Sequence, residues 1–393
     1  MSCIKSAAPF PADGESDKQF AGSETDGYLF AHISDPHLST LDGVRRRDLL
    51  NKRLLGYLSW RSHRREEHRV EVLSALMRDL EGFGPQHTVI TGDLTHLGLP
   101  GEFLEVARWL SSLGSPEQVT VIPGNHETYV RTPWEETFAS WLPYLSSDIP
   151  ADTGNQRDGL FPSLRIREQV AFIGLSSARP SAPFLAVGSL GRPQLQVLIR
   201  VLKETRQRRL FRVLLIHHPP LAETLGWRKR LTDSKALRSI LEREGVELVL
   251  HGHAHRATRG WIETSSGRAP VIGVPSASAI GLKPGRRAGY NLCRVTRAES
   301  GWDLRIERRA YSLELDRFVS AGDVLESTPH QCRTKHQEGE DWHQGREQWT
   351  QVEHEAQVSQ ELADKLEGDP GNARQNDSLS CAGATQGAEY KGK

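Results

Sequence analysis

Five times along this chain an apolar run breaks off into a turn that carries glycine or proline and is tipped by aspartate, asparagine or histidine. The segments are Ala31-His32-Ile33-Ser34-Asp35-Pro36-His37, Val89-Ile90-Thr91-Gly92-Asp93, Val121-Ile122-Pro123-Gly124-Asn125-His126-Glu127, Leu215-Ile216-His217-His218-Pro219-Pro220 and Val249-Leu250-His251-Gly252-His253-Ala254-His255. Apolar runs of that length suit strands buried in a sheet. In α/β sheets, ligands bind at the carboxyl ends of strands, where such turns converge. Segments far apart in sequence can therefore bring their polar tips into one cleft.

The rest of the chain fits that frame. β-rich runs predict strands over 28–34, 87–91, 119–122, 171–176, 211–216, 246–250 and 270–274, with 290–295 and 304–311 closing the core. Val70, Leu73, Met77 and Leu80 recur at helical spacing, and 103–113, 194–202 and 234–241 behave similarly. Strands spaced by helices and followed by a strand-rich end imply one α/β domain, 28–325, with a mixed sheet or two packed sheets.

The flanks read differently. Residues 1–27 lack periodicity and show no charged stretch followed by an apolar one, so they read as a flexible leader without a secretory signal. In 326–393 the aliphatic residues beyond alanine are Val352, Val358, Leu362, Leu366 and Leu379, too few to fold alone, and this stretch reads as a disordered tail. No apolar run approaches the roughly 20 residues of a membrane-spanning helix. Fifty basic and fifty acidic residues cancel, which argues against a coat for a nucleic-acid polymer. The four cysteines, Cys3, Cys293, Cys332 and Cys381, form no CxxC pair, so a reducing cytoplasm is the expected compartment.

The donor types at the strand ends narrow the chemistry. Asp, Asn and imidazole offer oxygen and nitrogen without thiolate, a mix suited to Mn, Fe, Zn or Co. They are too many for one ion and about right for two that share a carboxylate. Two metals roughly 3.5–4 Å apart can clamp the attacking and leaving oxygens of an in-line displacement at phosphorus.

The order DxH, GD, GNHE, HHPP and GHAH over Asp35 to His255 resembles the calcineurin-like metallophosphoesterase superfamily, and within it the bacterial branch of cyclic-nucleotide and glycerophosphodiester hydrolases. The resemblance implies a four-layer αββα sandwich of two mixed β-sheets flanked by helices. It implies that Asp35, His37 and His255 hold one divalent transition metal, that Asp93 bridges to a second, and that Asn125, His217 and His253 hold that second ion. Hydrolysis of a phosphodiester, a cyclic nucleotide or another small one, would then follow from in-line attack by hydroxide held between the ions. Asn125 would share the charge on the non-bridging oxygens, and His126 would act as general acid to the leaving alkoxide. The chain has Glu127 where many members have Asp, which leaves the partner of that carboxylate open.

Between the first two segments, 43–69 is rich in arginine and lysine (Arg45, Arg46, Arg47, Lys52, Arg53, Arg61, Arg64, Arg65 and Arg69) interleaved with Leu49, Leu50, Leu54, Leu55, Tyr57, Leu58 and Trp60. It predicts one or two helices, basic on one side and apolar on the other. Three readings stay open here: an apolar face packed on the sheet, a cap whose arginines, Arg53 among them, meet substrate, and a surface that rests on anionic membrane lipid. The last matches another branch of the superfamily, which cleaves the pyrophosphate of a nucleotide-linked acylated sugar. His218 is a further candidate for substrate contact, and Trp227, Arg228, Lys229 and Arg230 form a second basic stretch for the cleft rim. His32 and His251 read as buried neighbours of the site, and His63, His68, His87 and His96 carry no motif, with a place in the cleft wall the less favoured alternative for His96. A catalytically silent scaffold with the same fold would be expected to lose ligands, and here every position is filled.

Overall fold

A computed structural model describes residues 27–38, 41, 44–148, 160–221, 224–299 and 301–325. The leader, apart from Gly27, and the tail lie outside the described residues.

Twelve strands form two mixed six-stranded sheets among the described residues. In the first, β1 (Tyr28–Ile33), β2 (His87–Ile90) and β3 (Val119–Val121) run parallel. Antiparallel β10 (Gly289–Ala298), β11 (Gly301–Ser312) and β12 (Arg317–Leu325) extend it beyond β1, in the order β12-β11-β10-β1-β2-β3. The second sheet has a parallel centre of β5 (Val170–Gly174), β6 (Phe211–Ile216), β7 (Leu248–His251) and β9 (Gly267–Gly273). Antiparallel β4 (Ser163–Arg167) and β8 (Thr258–Thr264) form its edges.

Side-chain alternation explains why these strands carry apolar residues on both faces. Tyr28 and Phe30 of β1 point into a core between the sheets with Phe172, Val213, Leu215, Leu248 and Leu250. The rings of Phe30 and Phe172 meet edge to face across it at 5.1 Å. Leu29, Ala31 and Ile33 point the other way, onto Val72, Leu76, Phe103, Val106 and Leu110 of helices Val70–Phe83 and Pro100–Leu113. On the far side Leu214, Ile216, Val249 and Val271 meet Leu198, Leu202, Leu237 and Leu241 of helices Arg192–Gln207 and Ser234–Glu244. Helix, sheet, sheet and helix thus stack in four layers, as the resemblance implied. Each fully buried aliphatic or aromatic side chain contributes about 1.5–3 kcal/mol, so the three cores dominate the stability of the fold.

The basic segment folds as a 3₁₀ turn (Arg46–Leu49), a helix (Arg53–Ser59), a π-helical turn (Trp60–Arg64) and one more helical turn (Arg65–Glu67). Its packed side is not the leucine face. Tyr57 and Trp60 pack against Leu41, Leu97, Leu99 and Tyr129, and a Cβ on Gly56 would press into Leu97 and Tyr129. Leu50, Leu54 and Leu58 stand 83%, 47% and 52% exposed. Among the described residues no helix is long and apolar enough to cross a membrane.

Candidate metal centre

Asp35 and His37 follow β1, Asp93 follows β2, Asn125 and His126 follow β3, His217 follows β6, and His253 and His255 follow β7. All of these are carboxyl ends of parallel strands, so both sheets contribute to one edge. Left-handed backbone is uncommon for residues with a Cβ, yet Asp35, His37, Asp93, His253 and His255 all adopt it, with φ between 44° and 64°. Such strain concentrates at sites where a side chain must be aimed. Close backbone approach holds the turns together. Asp35 N donates to Gly92 O at 2.9 Å and His37 N to Asp93 O at 3.2 Å. Gly124 is packed so tightly on Asp93 that a Cβ there would strike the carboxylate, and a Cβ on Gly252 would strike Ser34.

Ligand-capable atoms of Asp35, His37, Asp93 and His255 lie within 4.8 Å of one another, and so do those of Asp93, His217 and His253. Asp93 belongs to both groups. Asn125 Oδ1 joins the second, 3.2 Å from His217 Nε2. His37 Nδ1 donates to Thr95 O at 2.8 Å and His217 Nδ1 to Thr91 O at 2.7 Å, which turns each Nε2 toward the groups. This is the carbonyl-backed arrangement usual for metal-binding imidazole. His37 Nε2 and His253 Nε2 are buried and make no hydrogen bond, and Asp35 Oδ1 has only the His255 ring nitrogen beside it, at 3.1 Å. An unsatisfied buried polar atom costs roughly 1–3 kcal/mol. One such atom in each ligand group, with Asp93 common to both, fits a pair of cations, so the donor set suits the dinuclear centre of the family.

Electrostatics supports the same picture. Burial alone would raise the Asp93 carboxyl, but the His217 and His126 rings hold it well below the usual range. Burial would lower His217, and the Asp93 carboxylate, 3.2 Å away, instead raises it to about 9. Glu127 is buried, and burial with the Asp93 charge pushes its carboxyl up to about 7. Five donors oppose that push: Asp93 N, Leu94 N, Thr95 N, Thr95 Oγ1 and Gly124 N, at 2.7–3.0 Å. With so many donors and a need for acceptors, the ionised carboxylate suits the geometry. Glu127 ties the turn after β2 to the turn after β3, which identifies the partners the sequence left open.

His126 lies beside Asp93, with Nε2 3.9 Å from Oδ2. Its Nδ1 meets the His96 carbonyl and its Nε2 meets Arg64 Nη1 at 3.0 Å. A carbonyl only accepts and a guanidinium only donates. The ring is therefore the neutral form with hydrogen on Nδ1. Burial, aided by the Arg64 charge, lowers its pKa to about 4 against the pull of Asp93. The expected general acid thus has no proton on the nitrogen that faces outward, and Arg64, carried by the π-helical turn, presents the donor instead.

Two expected substrate contacts are redirected. Arg53 is buried and donates to the carbonyls of Leu97 and Gly98 and to Thr132 Oγ1, so it fastens the basic segment to the turn after β2. His218 is fully buried, with Nδ1 2.8 Å from Ser177 Oγ and Nε2 donating to Ala186 O, so both nitrogens are occupied by the fold. His96 stacks on His37 at 5.0 Å. Lys229 lies within electrostatic reach of Arg64, Asp93 and Asp35. Sequence reading singled out neither Arg64 nor His68, because no motif separates one arginine of the segment from its neighbours or marks a lone histidine.

A family model described as calcineurin-like phosphoesterase matches residues 28–257. Among solved structures, a dimetal phosphatase from Danio rerio aligns at 15% identity and TM-score 0.47 over 76% of this chain and 99% of its own. Purple acid phosphatase PPD1 from yellow lupin aligns at 13% identity and TM-score 0.47 over 77% and 53%. Vacuolar Protein Sorting 29 from Cryptosporidium parvum aligns at 12% identity and TM-score 0.36 over 75% and 96%. No curated protein matches the chain.

Proposed function

The chain belongs to the calcineurin-like phosphoesterase family, and from that premise we propose that it is a metal-dependent hydrolase of a small phosphodiester, such as a cyclic nucleotide. The observation that carries this reading is the meeting of two ligand groups at Asp93, with the buried Nε2 atoms of His37 and His253 left without a hydrogen bond beside it. Mn, Fe, Zn or Co suits the mixed oxygen and nitrogen donors. When bound, the two metals supply Lewis-acid activation of the phosphoester and of the attacking water.

The protein's own groups do the rest. Asp35, His37 and His255 form one pole of the site, Asn125, His217 and His253 the other, and Asp93 joins them. Asn125 offers its carboxamide to the phosphoryl oxygens. His126 orients Arg64, whose guanidinium neutralises charge on the leaving oxygen, a role worth about 10²–10³ in rate for a well-placed donor. A silent scaffold is disfavoured because each of these positions keeps a competent side chain.

The test is a hydrolysis screen with Mn²⁺ that sets an aryl phosphodiester and cyclic AMP against cyclic 2′,3′-nucleotides and phosphomonoesters. Preference for a diester supports the proposal. Preference for monoesters, or no turnover by metal-loaded protein, overturns it.

The leucine face supports a second reading, hydrolysis of a nucleotide-linked acyl-sugar pyrophosphate at a membrane surface. Leu54 and Leu58 share a face of helix Arg53–Ser59 and stand exposed with Leu50 and Leu55, while Arg46, Arg47, Arg61 and Arg65 are exposed in the same segment. Apolar side chains among cations suit an anionic lipid surface. The protein should then sediment with vesicles containing anionic lipid, and Leu54→Ser with Leu58→Ser should release it. Parent protein that stays in the supernatant removes this reading.

A further inference from the structure

His68 ends the basic segment and is stitched into the wall of the site. Its backbone bridges to Ala279, Arg69 N donates to Ser278 O at 2.9 Å, and Ile280 N donates to Glu67 O at 2.9 Å. The Glu67 carboxylate accepts from Gly281 N and Leu282 N at 3.2 and 3.0 Å. The ring is fixed as firmly. Its Nδ1 lies 2.7 Å from Ser278 Oγ, Ser278 Oγ lies 3.4 Å from Ser276 Oγ, and Ser276 Oγ donates to Asp35 O at 2.7 Å. That chain ends on a carbonyl, which can only accept. With the Ser276 hydroxyl hydrogen spent on Asp35 O, Ser278 Oγ is able to accept from His68 Nδ1, the tautomer that leaves Nε2 its lone pair for a ligand.

A ligand-capable nitrogen of His68 lies within 4.8 Å of those of His37 and His255, and the His37 and His68 rings meet at 4.6 Å. His37 spends Nδ1 on Thr95 O and has only its unpaired Nε2 to offer. A separate ion on the three histidines would have to take that nitrogen from the group containing Asp35 and Asp93. Sharing one ion avoids the conflict. A cavity of about 220 Å³ lined by His37, His68, His96 and Trp60 leaves room beside the rings.

We infer that His68 is an additional imidazole ligand of the ion held by Asp35, His37, Asp93 and His255. The inference rests on the dinuclear reading above. It makes this pole rich in nitrogen and short of open positions, so it favours Zn, Fe or Co over Mg. The opposite pole, with Asn125, is then the more open one for a phosphoryl oxygen.

The experiment uses the full chain, stripped of metal and reloaded with Co²⁺, and reads metal stoichiometry, chelator competition and the visible Co²⁺ spectrum rather than turnover. In His68→Ala one of the two ions should bind at least ~100-fold more weakly, beyond the range typical of losing an outer-sphere partner. The other ion should be unchanged, the Co²⁺ bands should shift and intensify as a ligand is lost, and added imidazole should restore the parent spectrum. Two ions bound at parental affinity with an unaltered spectrum would overturn the inference while leaving the dinuclear reading intact. Parent protein that takes up at most one ion would bring down both. Should His68→Ala not fold in chelator, Ser278→Ala decides: about tenfold weaker binding of one ion with a shifted spectrum supports the assignment, and an unchanged spectrum refutes it.

Discussion

Arg64 Nη1 lies 3.0 Å from His126 Nε2, so the cation of the basic segment and the histidine of the third strand end share one hydrogen bond beside Asp93. The pair changes which group can serve the leaving oxygen. A neutral imidazole that already accepts a bond has no proton to give from that nitrogen, whereas a guanidinium stays charged at any working pH.

Arg64→Ala should lower turnover of an alkyl phosphodiester by about 10²–10³ with both metals retained, and Arg64→Lys should recover part of the loss. An activated aryl diester, whose leaving group departs with its charge delocalised, should suffer far less. His126→Ala should follow the same pattern, since it removes the group that aims Arg64. Rates with both esters and metal analysis of each variant check this. Equal losses on both esters would place Arg64 away from the leaving oxygen, and an emptied metal site in His126→Ala would make that histidine a ligand.

Asp93 touches both ligand groups, so its replacement should do more damage to metal binding than any other single change at the centre. Reconstituted parent protein should hold about two ions per chain and lose activity to a chelator. Asp93→Asn keeps the shape but removes the shared charge, and should cost at least one ion. Metal content and activity equal to the parent would show that Asp93 does not bridge.

The strand ends were legible because each joins a continuous apolar run to a short polar turn, and the order of the runs sets the order of the tips. Leu29 and Phe30 illustrate the rest of the core: one faces a helix layer and the other the second sheet, so both are apolar. Strand β4 was not legible. Its sequence, Ser163–Arg167, holds two arginines, and Arg165 is buried only because carbonyls of Pro116, Val119, Pro143 and Ser146 surround its guanidinium. No sequence pattern announces such a cage. Edge strand β8 was hidden by its exposed Arg259 and Glu263. The basic segment misled for a related reason. Arg53 is buried on carbonyls while Leu50, Leu54 and Leu58 face outward, against the usual assignment of charge outside and aliphatic inside.

Residues 326–393 should be dispensable for folding and chemistry, because their composition offers little apolar surface to bury. A chain ending at Thr328 keeps every residue of the candidate centre and all twelve strands. It should melt within a few degrees of the full chain and hydrolyse the same esters. Aggregation or loss of activity on that truncation would mean that the tail packs on the domain.

His87 gives the fold a sensitivity to acid that is independent of the metal ligands. Its ring is fully buried on β2, stacked on Phe172 at 4.6 Å, with Nε2 2.7 Å from Thr120 Oγ1. Its Nδ1 is buried without a hydrogen bond, and the Glu117 backbone opposes the loss of its charge less than burial favours it. Burial, helped by the Arg167 and Arg165 charges, lowers its pKa to about 3, while the unfolded chain titrates near the ordinary histidine value of 6.5. Below about pH 6.5 the unfolded chain binds a proton that the folded chain refuses, so stability falls as pH falls and levels off only near pH 3. At 1.36 kcal/mol per pKa unit, this one ring should remove roughly 2 kcal/mol between pH 7 and pH 5. His87→Phe keeps the stack on Phe172 and removes the titration. Urea unfolding at pH 7 and pH 5, with chelator present throughout so that metal release does not contribute, should show a drop smaller by about that amount in the variant. The variant will be less stable at pH 7 because Thr120 loses its partner, but the comparison is between slopes. An identical pH slope in parent and variant would mean that His87 is protonated within the fold and that the Thr120 contact is not the only one its ring makes.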